Sequence, residues 1–391
     1  MLNQTKITKF ILLGISDIRE LQYLYFVVFL AIYLTALTGN FLIITTVVQN
    51  PKLHNPMYFF LVNLSLVDVC YISTTVPKSL DHSLRNYKEI SFWGCVIQVA
   101  LVVMLVTAEV TLLTAMAYDR YVAISYPLQY QLIMNWNACF QMVAASWITS
   151  IICALIQTTQ TFKLYFCQSN VIKQYFCDIP QLLSLSCTDT AINKKLICAV
   201  TVIVGSFCIS SIFVSYGLIL STVFKMKSIK NRQKAISTCI PHLTIFSLFA
   251  VTATFSYARP RAMSSDFTDL LTALLYTILP PLINPIIYTL RNKEIQLTLL
   301  KLFKLFELLN QTSTKISTII VPGMFIYLLI GAVISQFLKH LSWGRTYDNP
   351  MSSIDLNWKS LLLASVFGSQ VQVKIAEDRY AILEKDTTVF K

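Results

Sequence analysis

Charged residues make up 13% of this 391-residue chain and hydrophobic residues 55%, against roughly a quarter charged in ordinary soluble domains. That balance excludes a water-soluble globular protein and points to a lipid bilayer as the solvent. Lysine and arginine outnumber the acids 31 to 19, yet no basic patch is interleaved with aromatics, so nucleic acid is not an expected partner.

The first stretch, 1–23, is polar and includes Asp17, Arg19 and Glu20. It holds no short apolar run followed by a small-residue cleavage site, so no cleavable signal peptide is expected and the first span serves as the insertion signal. Asn3-Gln4-Thr5 is a glycosylation sequon, which makes Asn3 the expected acceptor on an extracellular N-terminus. The pattern is loose, because Asn63-Leu64-Ser65 repeats it inside an apolar segment.

Seven apolar segments follow at 24–48, 57–80, 96–117, 139–158, 197–224, 238–257 and 270–290. Each is close to the ~20 residues that a ~30 Å hydrocarbon core requires. The expected fold is therefore an all-α bundle of seven membrane-spanning helices, with the two ends of the block on opposite sides. Orientation follows from lysine and arginine, which are in excess in short cytoplasmic loops. The connection after the fifth span carries Lys225, Lys227, Lys230, Arg232 and Lys234 without an acid, and the segment after the seventh carries Arg291, Lys293, Lys301 and Lys304. Both read as cytoplasmic, facing either solvent or a partner. The loop after the fourth span mixes Lys163, Lys173, Lys194 and Lys195 with Asp178 and Asp189, and it is placed outside with the N-terminus.

Few polar groups lie within the spans. Asp68 in the second and Glu109 in the third fall at similar depth. Two carboxylates at mid-membrane are expensive, so they are expected to share a proton, a cation or a hydrogen-bonded water cluster with neighbours such as Asn40 and Asn284. The alternative is a static polar plug that fixes helix register. At the far end of the third span, Asp119-Arg120-Tyr121 stands where the apolar helix meets a polar loop, and Asp119 is the nearest partner for an arginine that needs one. In the seventh span Pro280, Pro281 and Pro285 free carbonyls that neighbours or water must satisfy. Asn284-Pro285 with Tyr288 reads as a hinge.

The ten cysteines divide by location. Cys95, Cys167, Cys177 and Cys187 lie outside, where two disulfides with three possible pairings are expected. The other six lie in or beside helices, where a thiol usually acts as a small hydrophobe. Cys239 and His242 have ligand-like spacing, but two ligands without a third give no reason to expect a metal.

The motifs together resemble the vertebrate olfactory (odorant) receptors, a rhodopsin-like seven-helix family coupled to G proteins, in their tetrapod-type branch. The match is carried by Gly39-Asn40, by Leu53-His54-Asn55-Pro56-Met57-Tyr58-Phe59-Phe60-Leu61, by Pro77-Lys78 and by Met116 to Tyr121. It continues through Pro127-Leu128-Gln129-Tyr130, Phe176-Cys177-Asp178, Ser186-Cys187-Thr188-Asp189 and Ser215-Tyr216. Lys234 to Cys239, Pro281 to Pro285, Tyr288 and Leu290 to Lys293 complete it.

The resemblance implies a multi-pass plasma-membrane receptor with an extracellular N-terminus, a receptor domain over 24–309 ending in a short amphipathic helix, and sensory transduction rather than catalysis. It pairs Cys95 with Cys177 and Cys167 with Cys187. It makes Asp119, Arg120 and Tyr121 a cytoplasmic lock for a heterotrimeric G protein of the stimulatory olfactory type, with Tyr216 and Tyr288 meeting the arginine in the active state and Asn284-Pro285 as part of the switch. Asp68 and Glu109 become the family's mid-bundle acidic pair. A small volatile odorant is expected beneath the outer loop, against positions matching Val102, Val103, Val106, Thr107, Ile179, Val200, Ile203, Val204, Thr254 and Tyr257. That lining is mostly aliphatic with a few hydroxyls, which suits a mostly apolar ligand bearing one hydrogen-bonding group.

The chain also departs from the family. Phe249-Ala250-Val251 stands where Phe-Tyr-Gly is usual, removing a polar aromatic and placing a branched residue at a helix contact. Ser125 replaces a cysteine, and Pro241 precedes His242 in place of a serine, with a kink expected there. Beyond 309 the family pattern stops, and 310–391 reads as an atypical extension. Within it 316–338 is apolar enough for an eighth span, weakened by Pro322, Gly323 and Gly331, and 371–375 suggests a strand; a run-on or mispredicted exon is the expected account, with an added functional anchor as the alternative.

The expected mechanism is a ligand-driven population shift. No nucleophile–base constellation or phosphate-binding loop argues for an enzyme. Two rivals are a non-signalling receptor-like product and a secondary transporter relaying protons or cations through Asp68 and Glu109, the latter without the internal repeat such proteins carry.

Overall fold

The computed structural model describes residues 8–13, 18–85, 88–166, 170–187, 191–258, 266–291 and 296–297. Asn3, Cys167 and the extension 310–391, with its candidate span and strand, lie outside the described residues, as does most of the expected amphipathic helix. In chain order the elements are β1 (Lys9–Leu12), α1 (Arg19–Gln49), α2 (Pro56–Arg85), β2 (Glu89–Ser91), α3 (Phe92–Ser125), α4 (Tyr130–Ile133) and α5 (Trp136–Phe162). They continue with β3 (Val171–Ile172), α6 (Ile179–Ser184), α7 (Ala191–Lys225), α8 (Ile229–Ala258) and α9 (Asp266–Arg291). Among the described residues seven helices are long and apolar enough to cross a membrane: α1, α2, α3, α5, α7, α8 and α9.

Each helix overruns the apolar segment that announced it. Hydropathy marks the stretch that lipid can solvate, whereas the backbone ladder continues into water wherever good helix formers follow. The clearest case is α8, which starts at Ile229, so that Lys230, Arg232 and Lys234 are helical rather than in a loop. Caps set other boundaries. Ser91 accepts from Gly94 N at 3.1 Å to open α3, Asn135 accepts from Ala138 N at 2.9 Å to open α5, and Pro56 begins α2, where a missing N–H has no intrahelical acceptor to forfeit. Pro241 lies inside α8 without ending it.

The third membrane helix is the axis of the bundle. Val102, Leu105, Ala108, Leu112, Ala115 and Met116 on α3 are buried in the main core with Leu64 and Tyr71 of α2, Cys139 of α5, Ile245 of α8 and Ile287 of α9. At the Arg120 end a second core joins α3, α7 and α8 through Ala117, Ile212, Tyr216, Ile219, Cys239 and Phe246. The opposite end carries a three-stranded sheet in the order β2-β1-β3, antiparallel between β1 and β2 and parallel between β1 and β3. The segment 1–23 is therefore not merely a polar lead-in. Phe10 and Leu12 of β1 are fully buried, each worth about 1.5–3 kcal/mol of transfer free energy, while Lys9 pairs with Glu89 at 2.7 Å on the exposed side.

Candidate functional site

The polar residues gather at three depths. At mid-bundle Asp68, Glu109 and Asn284, from α2, α3 and α9, are all buried. Asn284 donates through Nδ2 to Asp68 Oδ2 at 3.0 Å and Oδ1 at 3.3 Å, and reaches Glu109 Oε1 at 3.5 Å. Glu109 Oε2 and Asn284 Oδ1 have no hydrogen-bond partner. The cluster is rich in acceptors and poor in donors, so two ionised carboxylates here would be uncompensated. A shared proton or a small cation would supply the missing positive partner. Asn40, expected beside the acids, is used differently: its Nδ2 donates to Pro281 O at 2.9 Å and to Ala36 O at 3.0 Å. Among the described residues no group of three or more His, Cys, Asp or Glu is gathered as a metal site.

At the end of α3, Arg120 donates through Nε to Asp119 Oδ2 at 2.9 Å and through Nη2 to the same oxygen. The other carboxylate oxygen, Oδ1, accepts from the Tyr130 hydroxyl of α4 at 2.6 Å. Asp119 is thereby satisfied on both sides and buried. Tyr216 of α7 engages His242 Nδ1 of α8 at 2.7 Å, and Tyr288 of α9 rests on Met116 Sδ at 3.9 Å. Neither tyrosine is on Arg120, whose side-chain partner here is Asp119. Tyr121 meets Tyr126 across 3.4 Å. Tyr130, part of the Pro127–Tyr130 segment, and His242, whose spacing from Cys239 alone stands out in the sequence, gain these partners from the fold. Leu128, in the turn between α3 and α4, is wholly exposed at 100%.

At the opposite end a disulfide joins Cys95 of α3 to Cys177, with Cα atoms 5.6 Å apart. Cys187 is also disulfide-bonded. Gln98 braces the same loop, accepting from Cys177 N at 2.8 Å while donating to Thr74 O at 3.0 Å. The loop then dips into the core. Tyr175 and Phe176 are buried, Tyr175 hydrogen-bonds Thr277, and Phe176 packs edge-on against Tyr276. Burial raises the Asp178 carboxyl from the usual carboxylate range to about 7, against the lowering effect of hydrogen bonds from Ile179 N–H and Tyr276.

Of the expected ligand positions, Val102 and Ile179 are buried, and Val103, Val106, Thr107, Val200 and Val204 are half-buried. Thr107 commits its proton to Val103 O at 2.7 Å, leaving it an acceptor. Ile203 requires a correction: it is 67% exposed, too open for the wall of an enclosed site. Ile197, Cys208, Ile212, Ser215 and Ile219 form the buried face of α7, and helical periodicity turns Ile203 to the opposite face. Thr254 and Tyr257 fall on α8, but their side chains are outside the described residues. The expected crowding by Val251 is likewise corrected, because Val251 is 67% exposed and it is Ala250 that packs on the α3–α7–α8 core.

The family model described as Olfactory receptor matches residues 29–305. This chain belongs to the olfactory receptor family. It is 47% identical to human Olfactory receptor 14C36 over 78% of this chain and 97% of that one, and 45% identical to mouse Olfactory receptor 4E2 over 75% and 95%. Squid rhodopsin, at 16% identity, superposes with a TM-score of 0.59 over 74% of this chain and 87% of its own, which establishes the seven-helix fold. The olfactory receptor is thus a multi-pass membrane protein, and the family match ends before 310–391.

Proposed function

We propose that this olfactory receptor binds a small, mostly apolar volatile ligand between α3, α7 and α8, and that binding releases Arg120 for a stimulatory heterotrimeric G protein of the olfactory type at the cytoplasmic face of the plasma membrane. The observation that carries the reading is the closed lock: Arg120 held by Asp119, Asp119 held by Tyr130, and Tyr216 and Tyr288 parked on other partners. A ligand that prefers the bundle with α8 displaced shifts the population toward a free Arg120, since only differential affinity moves a conformational equilibrium. Exposed Leu128 and the lysines at the α7–α8 turn give the partner an apolar and a cationic contact.

On this reading the N-terminus is extracellular, Asn3 is its glycosylation acceptor, and Cys167 pairs with Cys187. The Asp68–Glu109 pair, bridged by Asn284, holds a proton or cation whose loss accompanies the rearrangement. The deciding experiment is a cyclic-nucleotide assay across an odorant panel, with surface display measured in parallel. Ligand-dependent output that disappears in Arg120→Ala at matched display is expected. A fully displayed receptor silent to every ligand would favour the non-signalling alternative.

A further inference from the structure

The inner ends of α7 and α8 behave as one unit. Tyr216 engages His242 at 2.7 Å, and Arg232 of α8 donates through Nη2 to carbonyls at the C-terminal end of α7, Phe224 O at 3.4 Å within the helix and Met226 O at 3.2 Å just past it. That guanidinium caps a helix C-terminus where both its charge and its donors are useful. What holds this unit to α3 is a different matter. The apolar contacts through Ile219, Tyr121 and Ile124 can slide, whereas a hydrogen bond fixes register.

Such a bond joins Ser125, the last residue of α3, to Thr222, one turn from the end of α7, with Oγ and Oγ1 3.0 Å apart. Its direction follows from proton counting. The Thr222 hydroxyl has one proton and lies 3.0 Å from Leu218 O, an acceptor only, so the proton is spent there. Ser125 must then donate and Thr222 accept. The link runs between two hydroxyls at the half-buried Arg120 end, one helical turn beyond Tyr121.

From this geometry we infer that Ser125 is a positioning residue, a latch that pins the α7–α8 unit to α3 over Arg120 and sets the receptor's basal output. Without it the inner ends of α7 and α8 shift against α3, out of the register that keeps Tyr216 on His242 and off Arg120. The direction of the bond makes the inference specific. Thr222→Ser keeps the acceptor and Ser125→Thr keeps the donor, so both preserve the latch. Thr222→Val and Ser125→Ala remove it, and Ser125→Cys weakens it because a thiol is a poor donor.

The second half of the inference rests on the reading of Arg120 as the G-protein contact, so two measurements are needed. Hydrogen–deuterium exchange on the purified full chain reports the last turns of α7 without any G protein. Faster exchange there in Ser125→Ala and Thr222→Val, parental exchange in Thr222→Ser, and no further gain in the double variant are expected. Basal cyclic-nucleotide output, normalised to surface display, should follow the same order with a rise of about threefold. Unchanged exchange in Ser125→Ala overturns the latch. Faster exchange with unchanged basal output, in a parent that signals, overturns its role in setting that output. Faster exchange in a parent with no output above Arg120→Ala supports the latch and removes the signalling reading instead.

Discussion

Asn40 donates to the backbone carbonyl of Pro281 at 2.9 Å, tying α1 to α9 deep inside the bundle. The acceptor is the carbonyl that Pro285, four residues on and lacking an N–H, leaves without its helical partner. Asn40→Ala should therefore orphan a buried carbonyl at a cost of about 1–3 kcal/mol. A lower melting temperature of the purified receptor and reduced surface display are expected. Asn40→Asp, which removes the donor and adds an acceptor, should be worse than alanine; equal stability of all three would refute the assignment.

The mid-bundle cluster gives a prediction with two distinguishable arms. Glu109 Oε2 and Asn284 Oδ1 lack donors, so Glu109→Gln, which brings its own N–H groups, should match or exceed the parent in thermal stability despite losing a charge. If a cation is the missing partner, replacing choline by sodium at constant ionic strength stabilises the parent and leaves Glu109→Gln unmoved. A shared proton instead makes the parent indifferent to sodium. Marked destabilisation by Glu109→Gln in either salt would count against both, since it would mean that the carboxylate is already fully compensated.

How much of this was legible in the sequence depends on the kind of signal each feature leaves. Span existence and the convergence of Asp68, Glu109 and Asn284 were readable, because charge in an apolar segment is conspicuous and depth can be counted at 1.5 Å per residue. The orientation of Ile203 was not, because α7 is apolar all round and such a helix carries no periodicity to say which face turns inward. The β1–β2–β3 sheet was missed for another reason. Strands of two to four residues acquire meaning only from partners 78 to 160 positions away. Tyr130 and Gln98 are ordinary polar residues whose importance lies wholly in Asp119 Oδ1 and Cys177 N, groups the fold brings to them.

Tyr130 offers a test of the lock that leaves Arg120 intact. Its hydroxyl donates to Asp119 Oδ1 at 2.6 Å, and hydrogen bonds to charged groups are worth about 1.5–3 kcal/mol. Tyr130→Phe removes this bond with little change in volume and loosens the hold of Asp119 on Arg120. Basal cyclic-nucleotide output at matched display should rise several-fold, and Arg120→Ala placed on top should abolish the rise. A fall in basal output would show that Tyr130 serves the active state instead.

Asp178 makes the loop that carries Cys177 sensitive to pH. Burial raises its folded value to about 7 from 3.8, so the folded loop favours the protonated form. The sign follows: the contribution is fully present below about pH 3.8 and is lost as pH climbs through 7. Between pH 5.5 and 8 the parent should lose about 2 kcal/mol relative to Asp178→Asn, from 1.36 kcal/mol per pH unit over the titrating part of that range. Thermal unfolding of both proteins at the two pH values measures the difference. Parallel pH profiles would place the carboxylate in a wetter setting than its burial indicates.

The two departures in the sixth membrane helix separate cleanly once their faces are known. Ala250 packs on the core shared by α3, α7 and α8, whereas Val251 points outward at 67% exposure. Val251→Gly should therefore act only through helix propensity, losing up to about 0.5 kcal/mol of local stability and leaving basal output at the parental level. Ala250→Tyr is another matter, because it drives a large side chain and a hydroxyl into the contact that the proposed movement of α8 would open. Either the ring wedges the helices apart and output rises, or its hydroxyl finds a partner across the interface and output falls; overpacking alone costs about 1–3 kcal/mol in the closed state, which favours the rise. Measured singly at matched display, Ala250→Tyr should raise basal cyclic-nucleotide output and Val251→Gly should not. The reverse pattern would mean that α8 signals through its outward face, and that the core at Tyr216, Cys239 and Phe246 is scaffolding rather than the moving contact.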